Sequence, residues 1–524
     1  MSRMTILRTL FAAAPAVLAA ACAVGPDYEK PAAPAPAQFK ELAGWKPGDP
    51  KDAIDRGQWW SLYNDPVLDA MEKRIDISNQ TLKESEAAYR QARAAVDAAR
   101  ASFFPSISGS GAFTRDHSGS SRTGGSIATT GATGTGSTTG TGSTAIYAGG
   151  GASTFSTYAA SLSASWEPDL WGRVRRTVEA DVATAQADAA DIASARLSAQ
   201  ATLAIDYFEL RYQEELKRLL DRTITDYQRS LQITQNQYNA GVAARADVLS
   251  AQTQLLNAQA QEVNAGVLRQ TLEHAIAVLT GAAPADFSID AGPFTTDVPV
   301  PPAGLPSTLL ERRPDIAAAE RQVAAANAQI GVAISAYFPT LTLTPSYGNS
   351  SSSFGNLFSS ATNVWSLGAN VADTIFDAGA RSAQVEESRA AYDQTVAAYR
   401  QTVLTGFQQV EDELSTLRIL EQQNGIENQV VAAAQEAARL TLNQYKAGTV
   451  PYSSVITAQA TALSNEETAL AVTENRLVAS VTLIEAIGGG WDASQIPGRD
   501  QVEDDSSFLH VIPISTEHPE AVTP

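Results

Sequence analysis

Cysteine is almost absent from this chain. Cys22 is the only one in 524 residues, so no disulfide can form within the chain and no cysteine-rich metal site can be built. Aromatic residues are scarce at 7%, and the apolar residues are mostly small, which suits long helices packed side by side better than the bulky core of a globular enzyme. Positive charge is outnumbered: 37 Lys and Arg face 57 Asp and Glu, a net charge of −20, so nothing basic is available as a continuous face for nucleic acid. Histidine is limited to His117, His274, His510 and His518, and none has a second ligand or nucleophile at a motif spacing. The Gly-rich stretch 119–151 lacks the Gly-Lys-Ser/Thr ending of a phosphate loop. These absences argue against an enzyme, a resident cofactor and a metal centre.

Long hydrophobic runs are lacking too. Arg3 and Arg8 precede an apolar run from Leu10 to Ala21, too short for a spanning helix, which reads as an export signal over residues 1–21. Leu18-Ala19-Ala20-Ala21-Cys22 resembles a bacterial lipobox, although its large aliphatic residue stands four places before the cysteine rather than three. Lipidation of Cys22 is the expectation, with residues 22–57 a Pro- and Ala-rich tether. Ala23 is not the aspartate that tends to retain such lipoproteins at the inner membrane, so the outer membrane is the expected address.

What is abundant is repetition. QYNAGVAARADVLSAQ (237–252) and QYKAGTVPYSSVITAQ (444–459) share Tyr, Gly, Val and Gln at positions 207 apart. ARAAVDAARASFFP (92–105) and ANAQIGVAISAYFP (326–339) are related at an offset of 234, so one half carries the longer insertion between these landmarks. The insertion is the Gly, Ser and Thr tract within 123–157, a loop by composition, and its shorter counterpart is 348–363. The chain thus divides into two structural repeats, 58–290 and 291–490, with an acidic tail over 491–524.

Each loop is flanked by period-two segments. YAASLSASW (158–166), TLTLTPSY (340–347), WSLGANV (365–371) and, more weakly, SISGSGAF (106–113) alternate apolar residues with Ser, Thr or Gly, the pattern of a strand with one apolar face and one wet face. Pro345 is expected near a strand end or bulge. Four strands cannot close a barrel, and open edges are forbidden in a bilayer, so either the sheet is soluble or several chains share one barrel.

The helices are long. A pattern from about Pro66 to Phe103 stops at Phe-Phe-Pro. From about Gly172 to Ala240, and from about Ala380 to Ala447, no proline interrupts, giving roughly 100 Å of helix each. Leu216, Leu220, Ile224, Tyr227, Leu231, Thr234 and Tyr238 make a seam of threes and fours, and Phe407, Val410, Leu414 and Leu417 begin another. Gly241 and Gly448 stand where a helix needs a left-handed residue to stop, and Pro451 suits a helix start, so QYxAG marks the tip of a helical hairpin.

CAVGPDYEKP (22–31), QWWSLYNDPVLDAM (58–71), WEPDLWGRVRR (166–176), the two tips and LPSTLLERRPDIAAAERQVAAANAQIGVAISAYFP (305–339) together resemble the outer-membrane factors of tripartite efflux pumps, the TolC-like and NodT-like lipoproteins. The resemblance covers about Cys22 to Gly490. It implies an α+β membrane protein, a homotrimer whose chains give four strands each to one twelve-stranded transmembrane β-barrel and their helices to a coiled-coil periplasmic tunnel. It further implies a passive duct for an RND-type inner-membrane transporter and a periplasmic adaptor (membrane fusion) protein, set in outer-membrane lipid, with the cargo open.

On this resemblance Tyr238, Ala240, Gly241, Val248, Tyr445, Ala447, Gly448 and Val455 are the expected adaptor-facing residues. A gate is implied at Arg245, Asp247, Ser250, Ser454 and Thr457, where only Asp247 keeps the acidic character of relatives, with Arg245 a possible partner. Helix starting and hairpin packing are the plain alternatives for these positions. Rival readings are the duct of a type I protein secretion system, a periplasmic adaptor, which would carry one hairpin rather than two, and a structural coiled-coil lipoprotein, which needs no strands.

Overall fold

The computed structural model describes residues 23–34, 36, 38–42, 58–118, 153–299 and 311–503. The export signal, Cys22, most of the Gly/Ser/Thr tract and most of the acidic tail fall outside the described residues. The described parts of the chain form two compact units: one from Arg100–Val174 and Ser335–Gly379, the other from Ala23–Ala99, Arg175–Ile334 and Ala380–Pro524. Both sequence repeats contribute to both units.

The first unit is a four-stranded antiparallel sheet in the order β1 (Ser106–Ser118), β2 (Ser153–Ser165), β3 (Thr340–Ser351), β4 (Asn363–Ala372). Its register sorts the side chains by chemistry. Ile107 lies opposite Ala164, Phe113 opposite Tyr158, Leu162 opposite Tyr347 and Tyr347 opposite Trp365, so one face is apolar and aromatic. The other face carries Ser108, Ser110, Ser161, Ser163, Ser346 and Ser366, whose hydroxyls bond across strands at 2.8 to 2.9 Å. Ile107, Phe113, Leu162, Tyr347, Trp365, Leu367 and Val371 are all exposed, so none of the described residues covers this stretch of the apolar face.

Pro345 is in neither of the expected places, for it sits mid-way along the inner strand β3, opposite Leu367 of β4. Its missing N–H faces β2. The β2 ladder runs from Tyr158↔Ser351 to Ser163↔Ser346, lapses where Ala164 meets Pro345, and resumes at Trp166↔Leu343, which exchange N–H···O bonds of 3.0 and 2.8 Å.

The second unit is helical. The expected single helix over 66–103 is two, α1 (Pro66–Ser78) and α2 (Gln80–Ala101). The break is at Asn79, whose extended backbone lets Oδ1 accept from Leu82 N at 2.9 Å while Nδ2 donates to Leu279 O at 2.8 Å. There follow α3 (Arg173–Asn239), α4 (Arg245–Leu279), α5 (Pro314–Ser335), α6 (Ala380–Lys446), α7 (Tyr452–Ala486) and the short α8 (Arg499–Glu503). All four boundaries of the α3–α4 hairpin recur 207 residues later in α6–α7, at 67 and 35 residues.

The clasp at Asn79 recurs as well. Gly281 (φ 69°) has no room for a side chain against Ser78 O, and Gly488 (φ 95°) has none against Arg312 O. Where Asn79 donates to Leu279 O, Arg313 donates to Ala486 O at 2.9 Å and forks onto Asp315 at 2.7 and 3.0 Å.

Apolar packing follows the expected α6 seam throughout and the α3 seam in part, with Leu216, Ile224 and Leu231 partly buried and Tyr238 exposed. Leu220, Tyr227 and Thr234 are buried on α3, and Phe407, Val410, Leu414 and Leu417 on α6. One core gathers Trp59, Trp60, Tyr63 and Leu68 against Tyr207, Phe208, Ile276 and Leu477. Asp65 starts α1 by accepting from Val67 N and Leu68 N and also accepts from Tyr207 Oη at 2.6 Å. The described part of the 22–57 tether is held down rather than loose. Arg176 of α3 donates to Asp27, Asn327 to Pro26 O, Tyr28 to Glu320, and Glu411 of α6 accepts from the backbone N–H groups of Lys40 and Glu41.

Candidate functional site: the two hairpin tips

The tips are built by the same local rule twice. Gly241 and Gly448 each sit at φ 74°, a left-handed conformation that disfavours any residue with a Cβ. At the first tip Gly241 N donates to Tyr238 O at 2.9 Å and Val242 N to Gln237 O at 2.9 Å. At the second, Gly448 N donates to Tyr445 O at 2.9 Å and Thr449 N to Gln444 O at 3.0 Å. This pair of bonds is a Schellman stop, which satisfies carbonyls that the helix end would leave open. No atom lies within 4 Å of where a Cβ on either glycine would be.

The restart differs between the halves, and proline explains how. Ala244 opens α4, and its backbone N–H needs an acceptor; Asp247 Oδ2 supplies one at 3.3 Å. Pro451 opens α7 and has no N–H to satisfy, so Ser454 at the matching position is not required to be acidic. Among the described residues no ion pair joins Arg245 to Asp247, so the expected partnership is not formed. Ser250 and Thr457 are exposed one turn further along, and Thr457 Oγ1 bonds back to Ser453 O at 3.1 Å.

Burial separates residues that the sequence treats as equivalent. Tyr238 is 41% exposed, but Tyr445 only 6%; Val248 is half-buried, whereas Val455 is fully buried. Tyr445, Tyr452 and Val455 pack on Ala251, with Leu231 and Ile233 of the first hairpin at the edge of the cluster. Gln459 Nε2 reaches across to Ser230 Oγ at 3.1 Å. The second tip therefore leans on the first, which leaves Tyr238, Ala240, Gly241, Ala447 and Gly448 exposed at the ends. Beside the contact runs a groove of about 500 Å³ lined by Asp226, Arg229, Arg439, Lys446 and Glu466.

The long motifs, by contrast, hold the scaffold. Arg313 of ERRPD and Arg176 of GRVRR are buried clamps far from the tips in sequence. Sequence reasoning did not assign them roles. Their signal was an arginine two or three residues before an acidic residue at a helix start or first turn.

Comparison with known proteins agrees with this geometry. The profile of the family described as outer membrane efflux protein matches residues 73–282 and 305–489. The probable efflux pump outer membrane protein TtgC of Pseudomonas putida is 30% identical over 475 residues, 90% of this chain and 93% of that protein. The pyoverdine export outer membrane protein OpmQ of Pseudomonas aeruginosa is 29% identical over 487 residues, 91% and 96% of the two chains. Among solved structures the outer-membrane channel OprN superposes with a TM-score of 0.78 at 27% identity, covering 90% of this chain and all of that one. With a duplicated helical hairpin, a sheet that leaves its apolar face uncovered and these relatives along nearly its whole length, the chain belongs to the outer membrane efflux protein family and is an efflux channel of the bacterial outer membrane with the TolC-like fold.

Proposed function

We propose that three copies of the chain assemble into one passive duct, each giving four strands to a twelve-stranded barrel. The observation that carries this is the sheet itself: one apolar face without cover, one hydroxyl-lined face, and two edge strands, β1 and β4, that lipid cannot satisfy. Outer-membrane lipid meets the apolar face, and Ser and Thr hydroxyls line the passage. No catalytic step is assigned to any residue, because transport through an open passage needs none.

The exposed tip residues Tyr238, Ala240, Gly241, Ala447 and Gly448 are the proposed docking points for a periplasmic adaptor protein, which links the duct to an RND-type inner-membrane transporter. Val248, Tyr445 and Val455 support them from within. Asp247, three copies of which would stand around the passage, is the proposed charged element of a gate, with Arg245, Ser250, Ser454 and Thr457 around it. OpmQ is named for pyoverdine export, and that cargo belongs to OpmQ. For this chain the cargo class is set by the transporter it serves.

Mass measurement and electron microscopy of the detergent-purified protein test the assembly. Threefold hollow particles support it, and a monomer ends it. In planar bilayers Asp247→Ala should raise conductance and lower cation selectivity; unchanged values would confine Asp247 to starting α4.

A further inference from the structure

The internal repeat contains a prediction about the interface that closes the barrel. Landmarks before the first strand of each repeat are 234 apart, and landmarks after the second strand are 207 apart. Adding 234 to Ser106 and 207 to Ser165 turns that β1–β2 pair into Thr340↔Ala372, which is an observed β3–β4 pair. The same two offsets turn the Ser78–Gly281 contact into Arg312–Gly488, and the bond from Asn79 to Leu279 O into the bond from Arg313 to Ala486 O. Strands and helices thus obey one transformation.

Among the described residues the β2–β3 junction between the repeats has no counterpart, because no described strand follows β4. Its counterpart is β4 of one copy beside β1 of a second. Resting on the trimeric reading above, we infer that these strands pair antiparallel with Trp365 opposite His117, Ala369 opposite Phe113 and Asn370 opposite Ala112. Those pairs are the images of Tyr158↔Ser351, Leu162↔Tyr347 and Ser163↔Ser346.

Side-chain chemistry checks the parity of the register. In the observed sheet the apolar face holds the odd-numbered positions Ile107, Phe113, Trp365, Leu367 and Val371. The inferred register joins odd to odd, so the two-faced pattern keeps its parity from copy to copy: Ala369 meets Phe113 and Val371 meets Gly111, and towards the far end of β1 Trp365 and Leu367 meet His117 and Arg115. A slip of one residue would set Trp365 and Leu367 among the serines of the wet face.

The loops after the second strands give a further check. Trp171, in the loop after β2, stacks on Phe338 at 4.8 Å and donates to Pro339 O at 2.7 Å. The 207 offset carries Trp171 onto Ala378, and the loop after β4 instead exposes Ile375 and Phe376, at 94% and 84%. The transformation places that loop against Phe104 and Pro105 of the second copy, and Phe104 is 59% exposed.

Cysteine cross-linking in the full chain, extracted from outer membranes in detergent, reads the register directly. Trp166↔Leu343 exchange both hydrogen bonds, so Ser163↔Ser346 and its image Ala112/Asn370 fall at closely spaced pairs within disulfide reach. Ala112→Cys with Asn370→Cys should give covalent dimers and trimers on oxidation. Ser110→Cys with Asn370→Cys, and Thr114→Cys with Asn370→Cys, should give at least fivefold less. If the first variant fails to accumulate, Asp116→Cys with Ser366→Cys samples the same register. A three-copy particle that cross-links best in a slipped pair overturns the register and leaves the duct standing. A monomeric parent with no cross-linking in any pair overturns both.

Discussion

Glu72 of α1 is buried completely, and neither carboxylate oxygen has a hydrogen-bond partner among the described residues. Burial holds its carboxyl well above the usual range, and Asp76 adds to the effect. The folded chain therefore binds this proton more tightly than the unfolded one. The resulting stability is fully present below the unfolded carboxylate value and is lost as pH rises through the folded one. Glu72→Gln removes the linkage, so the variant should melt higher than the parent at about pH 8, with the difference closing towards about pH 4. Thermal unfolding at the two pH values checks this, and equal melting at pH 8 would refute it. Nothing in the helical pattern over 66–103 marked Glu72, because the burial of a lone polar residue is set by neighbours remote in sequence. The same holds for Tyr238 and Tyr445, which share the QYxAG motif and differ in burial. Gly241 and Gly448 were legible, since a left-handed helix stop is a local requirement.

Within the helical unit, α3 and α7 share a half-buried acidic cluster that their sequences do not announce. Loss of solvent raises Glu474 of α7 to about 7, with Glu209 of α3 contributing, and raises Asp206 of α3 to about 6, again with Glu209 beside it. Both are acids shifted upward, so their contribution to stability is present at acid pH and is lost as pH climbs through 6 to 7. The parent should melt lower at about pH 8 than at about pH 5.5, and Glu474→Gln should flatten that slope. A parent with no slope across this window would contradict the proposed burial. Long helices, their ends and the strands were readable as elements because periodicity and proline are local signals. The break at Asn79 was not, since a residue of modest helix preference becomes a stop only when Leu279 O arrives to accept from it. Pro345 misled for a related reason. An inner strand tolerates it because only one rung of one ladder is lost.

For the whole molecule, the two halves keep identical helix lengths, 67 and 35 residues, while the connections between their strands differ greatly. Removing one heptad from each arm of the α6–α7 hairpin shortens that hairpin by about 10 Å and leaves α3–α4 unchanged. Tyr445 and Val455 would then miss Ala251, so this variant should fail to form the three-copy particle. Removing the equivalent heptads from α3 and α4 as well should restore it. Particle mass for the two variants decides the matter, and a particle from the first would show that the tips need not be level. The duplication, the order of elements and the two-faced strands were all visible in the sequence. Which edge meets which was not, because pairing between strands is a property of offsets and becomes readable only once one junction has been seen.

The Schellman stops at Gly241 and Gly448 also carry a consequence for how the family's tips can vary. Each glycine's missing side chain would project into open space, so the constraint there is conformational and not steric. Bulk is therefore permitted at the apex in any residue that tolerates the left-handed turn, asparagine above all. Chemical identity at the apex is thereby uncoupled from the shape of the hairpin, and a change of docking partner can be written there without rebuilding the helices beneath.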